Sequence, residues 1–553
     1  MPALGVDFGS STTLCALADE RGARALPVGV GSPFMPSAVA LSEDGRLLVG
    51  EEAVSVLRAA PDRGIWNLKR LVGQAEGVEL GGRTFELELL LSALFRRLRE
   101  RAEALLRSPV RGAVLAVPAG FTHRQREVLA RSASAAGFEV RRFVNEPTAA
   151  ALSYVVGRGL SGRALVVDFG GGTTDVSLVE HEEGVFEVME SRGLPVGGFD
   201  LDEVVADWMA DLFRRETGLN LRRDPVAFGR LMAEAEEAKK AFSQAKSVRV
   251  LIPMVGALGE EVLDLDLTLA REAFERRVEP VFERVAALAL EVLGSRPQCP
   301  PDLVLAVGGS SLTWSFVGYL SRRLGLPVKR GPDPLEAVAL GAAIEAASLE
   351  GRGFDFLLVD VLQQSLGVEV EGGRFLKVIP RGSKLPASAE MVFTTVEDGQ
   401  REVEIHVLQG EEELACRNVS LGRLLLRDIP RGRRGEVRIK VTFRVDESGM
   451  LSVSAVDSKG GPSRELKLSF GVSPRGSRAG RVLSEEALAE VQFEEAYRSL
   501  VALSAALEPS HRVRLEECLK RSRSLMGEGD LSLKVSLSRA LNEASAKLRS
   551  LLG

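Results

Sequence analysis

Val166–Thr174 reads VVDFGGGTT, and Gly5–Thr13 reads GVDFGSSTT. In each copy an apolar strand ends in aspartate and phenylalanine, a turn of glycine and small hydroxyl residues follows, and a second strand begins (Leu14–Ala18; Asp175–Val179). Glycine lets such a turn bend tightly and bring its amides against phosphate oxygens, where a Cβ would collide. One copy alone would pass for an ordinary β-hairpin. Two matching copies point to paired loops around a nucleotide's phosphates, with Gly9, Ser10 and Ser11 in the first and Gly170, Gly171 and Gly172 in the second. Asp7 and Asp168 end their strands where a Mg²⁺ ion would meet them through its waters, since Mg²⁺ keeps much of its hydration.

Two weaker signals lie further out. Gly308-Gly309-Ser310 follows the apolar strand Leu303–Val307, a turn that suits a base or ribose lying against backbone but is common by itself. Glu236, Lys239, Lys240 and Ser243 recur at i, i+3, i+4 and i+7 on one face of a charged helix near Phe228–Ala245. By itself that face reads as solvated and salt-bridged; beside two phosphate loops it becomes a candidate nucleoside contact.

The chain as a whole sets the frame. Its 553 residues call for about three or four domains. Hydrophobic residues make up 45% and charged residues 27%, as in soluble globular proteins, and a net charge of −6 offers no broad basic field for nucleic acid. No apolar run reaches the roughly 18–20 residues that span a bilayer. The start, MPALGVD, runs straight into a strand without the features of a signal peptide, so a cytoplasmic protein without a membrane partner is expected. Four scattered cysteines and four scattered histidines form no CxxC or HExxH pattern. Catalysis would fall to carboxylates, lysines, hydroxyls and backbone amides.

Residues 1–350 alternate short β-branched strands with helices (about Phe85–Leu106, Thr122–Ala136 and the charged helix), an α/β pattern. From about Gly367 to Phe470 the period changes to two, as in EVEIHVL (402–408) and EVRIKVTFRV (436–445), which reads as a β-sandwich. A polar connector, Gly471–Gly480, precedes a helical tail that opens at Ser484 with acids in its first turn. Between the α/β part and the sandwich, DFLLVD (355–360) is apolar where a linker is usually polar. It fits one more buried strand, or a segment that docks when domains meet and is exposed when they part.

These residues carry a resemblance. Beside the two hairpins stand Val117-Pro118-Ala119, NEPTAA (145–150), EAVALGAA (336–343), DFLLVD (355–360), SLGVE (365–369), HVLQGE (406–411) and SVSAVD (452–457), in that order. Together they resemble the Hsp70 (DnaK-type) chaperone family, within the actin/sugar-kinase ATPase superfamily, from the first hairpin to about Phe470. The resemblance implies a multidomain protein: a two-lobed α/β actin-like nucleotide-binding domain (1–353), a linker (354–366), a β-sandwich that binds peptide (367–471) and a short helical lid (482–553). It implies ATP and Mg²⁺ as cofactors and ATP hydrolysis as the activity. Unfolded or extended polypeptides, a J-domain co-chaperone and a nucleotide exchange factor are the implied partners.

Residue by residue, the family's γ-phosphate lysine corresponds to Lys69 in NLKRLVG (67–73), its hinge-side glutamate to Glu146, and its γ-phosphate hydroxyl to Thr173. Asp7, Asp168 and Asp175 match its acidic set, and Glu236, Lys239, Lys240 and Ser243 its adenosine helix. Pro118 and Arg126 match its coupling residues, with Leu357, Leu358 and Asp360 in the linker. Val368, Phe393, Val403 and Ile405 match the peptide pocket, and Glu371 and Val396 the arch over it. The chain departs from the family at Leu312 (usually arginine on the adenine), Phe199 (usually an acid), Thr174 (usually phenylalanine) and Glu371 (usually apolar). The stretch from Lys69 to Val117 is about 20 residues short, a trimmed first lobe. The tail after Leu483 is short for a full lid and does not end in EEVD. An ATP-driven polypeptide-binding chaperone is the leading expectation. The alternative is an ATP-binding regulatory or scaffold protein with weak hydrolysis and a specialised client. A metabolite kinase has no use for the sandwich or the docking linker.

Overall fold

Both glycine hairpins form the middle of a sheet, and the two sheets share one plan. In the first, Leu4–Phe8 pairs antiparallel with Thr12–Asp19, which continues antiparallel to Gly22–Ala25. On its other side Leu4–Phe8 pairs in parallel with Gly112–Val117, and that strand with Glu139–Asn145. In the second, Gly162–Phe169 pairs antiparallel with Thr174–Glu182 and onward to Val185–Leu194. Its parallel neighbours are Leu303–Val307 and then Val328–Arg330. The repeat seen in nine residues of sequence thus extends to five strands in the same order. Corresponding residues sit in register, Asp7 opposite Leu14 and Asp168 opposite Asp175.

The structure, a computed structural model, describes residues 2–156, 160–259, 261–331, 333–370, 372–395, 397–427, 429–433 and 436–457. Beyond these it describes the helix Pro509–Glu528 and single positions between 493 and 547. Glu371, Val396, the 471–480 connector and the expected cap at Ser484 lie outside the described residues. The chain divides into two compact units, 1–363 with 381–387 and 445–451, and 364–380 with 388–444 and 452–553.

The central strands of both lobes, Leu4–Phe8, Gly112–Val117, Gly162–Phe169 and Leu303–Val307, are buried along most of their length and read as apolar runs. One core packs around the first sheet and the helix Leu87–Leu106, another around the second sheet and the helices Gly198–Thr217, Pro225–Ala241 and Arg271–Ser295. A third lies between the sheets, where Glu146–Val155 meets Ala337–Leu349. Eight of the thirteen residues of the second helix, AVALGAAIEAASL, are Ala, Gly or Ser, which allows close backbone approach. A Cβ on Gly341 would stand 1.6 Å from the carbonyl oxygen of Ala149, and one on Gly5 2.0 Å from the amide of Ala343.

The segment DFLLVD resolves into a strand. Leu357–Val359 pairs in parallel with Val185–Leu194 at the edge of the second sheet, with Leu358 buried and Leu357 exposed. In the second unit Arg374–Ile379, Leu366–Val370, Glu402–Gln409 and Val419–Arg427 form a four-stranded antiparallel sheet. Ala387–Thr394, Arg438–Val445 and Leu451–Asp457 form a three-stranded one. Among the described residues no helix is long and apolar enough to cross a membrane.

Candidate functional site

Lys69 lies on the single turn Leu68–Leu71, and Glu146 begins the helix Glu146–Val155 directly after a strand whose last three residues are buried. Both are buried, and the lysine ammonium bonds the glutamate carboxylate. Burial works against the charge on Lys69, but Glu146 and Asp7 outweigh it and push its pKa above the ordinary value. A buried ammonium that stays charged is what a phosphoryl-transfer site needs.

Around this pair the acidic set gathers. Asp7, Asp168 and Asp175 are buried or nearly so at the ends of the two hairpins. Burial first, and the charge of Glu146 second, push Asp7 and Asp175 up to about 7 and raise Asp168 well above the ordinary carboxylate range. Four carboxylates thus share one lysine in a desolvated space, a site short of positive charge, which fits a divalent cation. Among the described residues no three His, Cys, Asp or Glu side chains are grouped to hold a metal ion directly.

The hairpin turns are held by bonds from outside and within the hairpins. Ser37 donates to the carbonyl of Gly9 at 2.7 Å, and Gly170 N–H bonds the carbonyl of Thr173 at 2.9 Å. Ser310, in the third glycine turn, donates to the carbonyl of Gly170 at 2.7 Å, so that turn is tied to the second hairpin. Gly308 adopts φ 79°, and a Cβ there would sit 2.4 Å from Asp168 Oδ1. Leu312 follows, half-buried. Thr174 donates to the carbonyl of Val196 at 2.7 Å, which gives this polar residue a buried partner.

The charged helix divides its lysines. Lys239 turns inward to Asp202 Oδ1 (2.7 Å) and the carbonyl of Gly198 (3.2 Å). Lys240 points outward to Glu236 and Glu237, both at 2.9 Å, and so follows the solvated reading. The helix ends at Ala241, so Ser243 falls in the turn beyond it rather than on its face.

Two separate sets of polar contacts lie beside the cleft. The amide of Ala119, after Pro118, donates to Asp175 Oδ1 at 2.8 Å. Arg126 donates to Asn145 Oδ1 at 2.9 Å, and Asn145 Nδ2 to Asp360 Oδ2 at 2.9 Å. Burial pulls Arg126 down to about 10 and raises Asp360, each against the attraction of the other.

In the second unit Val368 and Ile405 are buried and Val403 half-buried. Val368 stands opposite Val407 in register, so it shares a face with Ile405 and Val403, two and four residues back along that strand. Phe393 is half-buried on a strand of the other sheet.

Ser37, Arg70 and Asp202 were not singled out from the sequence, and Gly197 and Asp200 figured there only as neighbours of Phe199. A Cβ on Gly197 would meet Gly171 C at 2.5 Å and Gly172 N at 2.6 Å, so the start of the helix Gly198–Thr217 rests on the second hairpin. The signal available was local: two glycines and two aspartates at a helix start, GGFDLD (197–202).

Paired phosphate hairpins, a buried lysine–carboxylate centre and two sheets of one plan define a two-lobed nucleotide-binding protein with antiparallel sheets after it. The family described as Hsp70 protein matches residues 75–475. The chain is 36% identical over 475 residues to the chaperone protein DnaK of Thermosipho africanus, covering 84% of this chain and 79% of that relative. To the chaperone protein DnaK of Thermoplasma acidophilum it is 36% identical over 473 residues, covering 84% and 77%. The chain belongs to the Hsp70 family.

Proposed function

We propose that the residues gathered at the cleft run the ATPase cycle of this Hsp70-type, ATP-dependent chaperone, with Lys69 as the central cation. The chain is an ATP hydrolase by family. The observation that carries the residue assignment is the buried Lys69–Glu146 pair among three more carboxylates. Lys69 supplies fixed positive charge where negative charge builds on the transferring phosphoryl oxygens. Glu146 holds the ammonium in place and accepts hydrogen bonds from the attacking water. Thr173 offers its hydroxyl beside the γ-phosphate, and the backbone of Gly9–Ser11 and Gly170–Gly172 cradles the phosphates. Asp7 and Asp168 would hold Mg²⁺ through its waters; the ion neutralises phosphate charge when bound. Lys239, Ser310 and Leu312 border the nucleoside.

In the second unit, Val368, Val403 and Ile405 form an apolar face that, with Phe393, would receive a side chain of an extended polypeptide, while backbone hydrogen bonds give sequence-tolerant affinity. A J-domain partner and an exchange factor complete the cycle.

Single-turnover hydrolysis of bound ATP tests the centre. Lys69→Ala is expected to slow it by about 100- to 1,000-fold, the usual cost of one electrostatic group aimed at a transition state. Equal rates in both proteins would remove Lys69 from catalysis. No hydrolysis in either would leave the scaffold reading, which the retained, charged Lys69–Glu146 pair argues against.

A further inference from the structure

Arg70 follows Lys69 on the same turn and takes the opposite course. Its side chain is 39% exposed and crosses to the second lobe. Nη2 donates to the carbonyl of Gly172 and to Asp200 Oδ2, each at 3.1 Å, and the guanidinium carbon lies 5.4 Å from the centroid of the Phe199 ring. All three partners belong to the second lobe: Gly172 at the hairpin tip, Phe199 and Asp200 in the first turn of the helix Gly198–Thr217. Asp200 is itself fixed, since its carboxylate accepts from the amide of Gly197 at 2.8 Å.

Beneath Arg70 the two hairpin tips nearly touch. A Cβ on Gly172 would stand 2.5 Å from Ser10 Oγ and 3.0 Å from Arg70 Nε, and one on Gly171 2.8 Å from Ser11 Oγ. Ser10 and Ser11 belong to the first lobe. Lobes that part to release a nucleotide must separate these tips, and with them every contact Arg70 makes. A planar guanidinium suits this place, because its fork reaches two acceptors while its face stays on an aromatic ring.

We propose that Arg70 is a positioning residue that latches the second phosphate hairpin against the first lobe and so sets how long nucleotide stays bound. It is distinct from Lys69, which faces the reacting centre. The proposal rests on the nucleotide-cleft reading above.

The test is release of a fluorescent ADP derivative, followed by stopped flow after mixing with excess ATP. Arg70→Ala is expected to release it about tenfold faster, with Arg70→Lys between the two because a single ammonium cannot keep both acceptors and the ring. Phe199→Ala should speed release about threefold. Combined with Asp200→Ala, Arg70→Ala should add little, since a shared contact is lost only once. Raising salt should speed release from the wild type and leave Arg70→Ala nearly unchanged, as a partly exposed ion pair is screened. Release from Arg70→Ala at the wild-type rate, or fully additive double-mutant effects, would overturn the proposal. If Arg70→Ala fails to fold, Arg70→Lys and the salt series on the wild type decide it. A wild type that fails to bind the probe would instead overturn the nucleotide-cleft reading.

Discussion

His123 opens the helix His123–Ala135, is buried, and titrates far from its ordinary range. Burial first, and the charge of Arg126 second, bring it from 6.5 down to about 4. A base whose pKa is depressed by folding takes up its proton more readily in the unfolded chain, so stability falls as pH drops from about 6.5 towards 4. The full loss is about 3 kcal/mol for a shift of this size. Asp7, Asp175 and Asp202 act with the opposite sign, because their values are raised and the fold favours their protonated forms. Comparison with His123→Gln isolates the histidine. The unfolding free energy of the wild type minus that of the variant should fall by about 3 kcal/mol between pH 7 and pH 4 in urea titrations. A difference that stays flat would mean that His123 charges freely in the folded protein. At this scale the sequence made Lys69 and Glu146 readable, because their neighbours form motifs. Arg70 was not readable, because its partner Asp200 lies 130 residues away and the contact exists only once both lobes are folded.

The helix Ala337–Leu349 is the element on which the two lobes lean. It packs on Glu146–Val155 and on the strands of the first hairpin, with Gly341 against Ala149 and Gly5 against Ala343. No side chain fits at Gly341, so Gly341→Ala must push two helices apart. Overpacking of this kind costs about 1–3 kcal/mol, and here the added carbon would meet backbone, which cannot turn aside. Urea unfolding should show a loss near the top of that range, and a variant as stable as the wild type would show that the helices separate freely. Elements of this type were legible where period and length agreed. The helices Leu87–Leu106 and His123–Ala135 begin within two residues of their expected starts. The charged helix begins earlier and ends earlier than its composition suggested, at Pro225 and Ala241, because Asp224 caps it and Phe242 closes it. Leu357–Val359 stayed open between strand and docking segment, since a short apolar run has no period to separate them. The fivefold strand correspondence between the lobes was visible only in the hairpins, where tight glycine turns constrain residue type; elsewhere any buried apolar residue serves.

Across the whole molecule, the proposed cycle requires that events at the nucleotide cleft reach the antiparallel sheets of the second unit. Asn145 and Glu146 are adjacent, one bonded to Asp360 and the other to Lys69. Glu146 bonds Lys69 in the cleft, while Asn145 bonds Asp360 and accepts from Arg126. In the proposed cycle this junction would link Lys69 to the end of Leu357–Val359, an edge strand paired with its neighbour at three positions. Such a short edge strand can act as a two-state element, because it can leave the sheet while the other strands stay paired. Its two faces give a sharp test. Leu358 is 5% exposed and packs in the core between the lobes, whereas Leu357 is 62% exposed. Leu358→Asp would bury an unpaired carboxylate unless the strand detaches, which costs several kcal/mol and favours detachment. Leu357→Asp adds the same charge on the solvent side. With a fluorescent peptide bound, ATP should speed release from the wild type and Leu357→Asp by a factor in the range of about 5–150, the usual span of such coupling. Leu358→Asp should release peptide at one rate with or without ATP, while its single-turnover hydrolysis continues. Retained acceleration by ATP in Leu358→Asp would show that the signal does not travel through this strand.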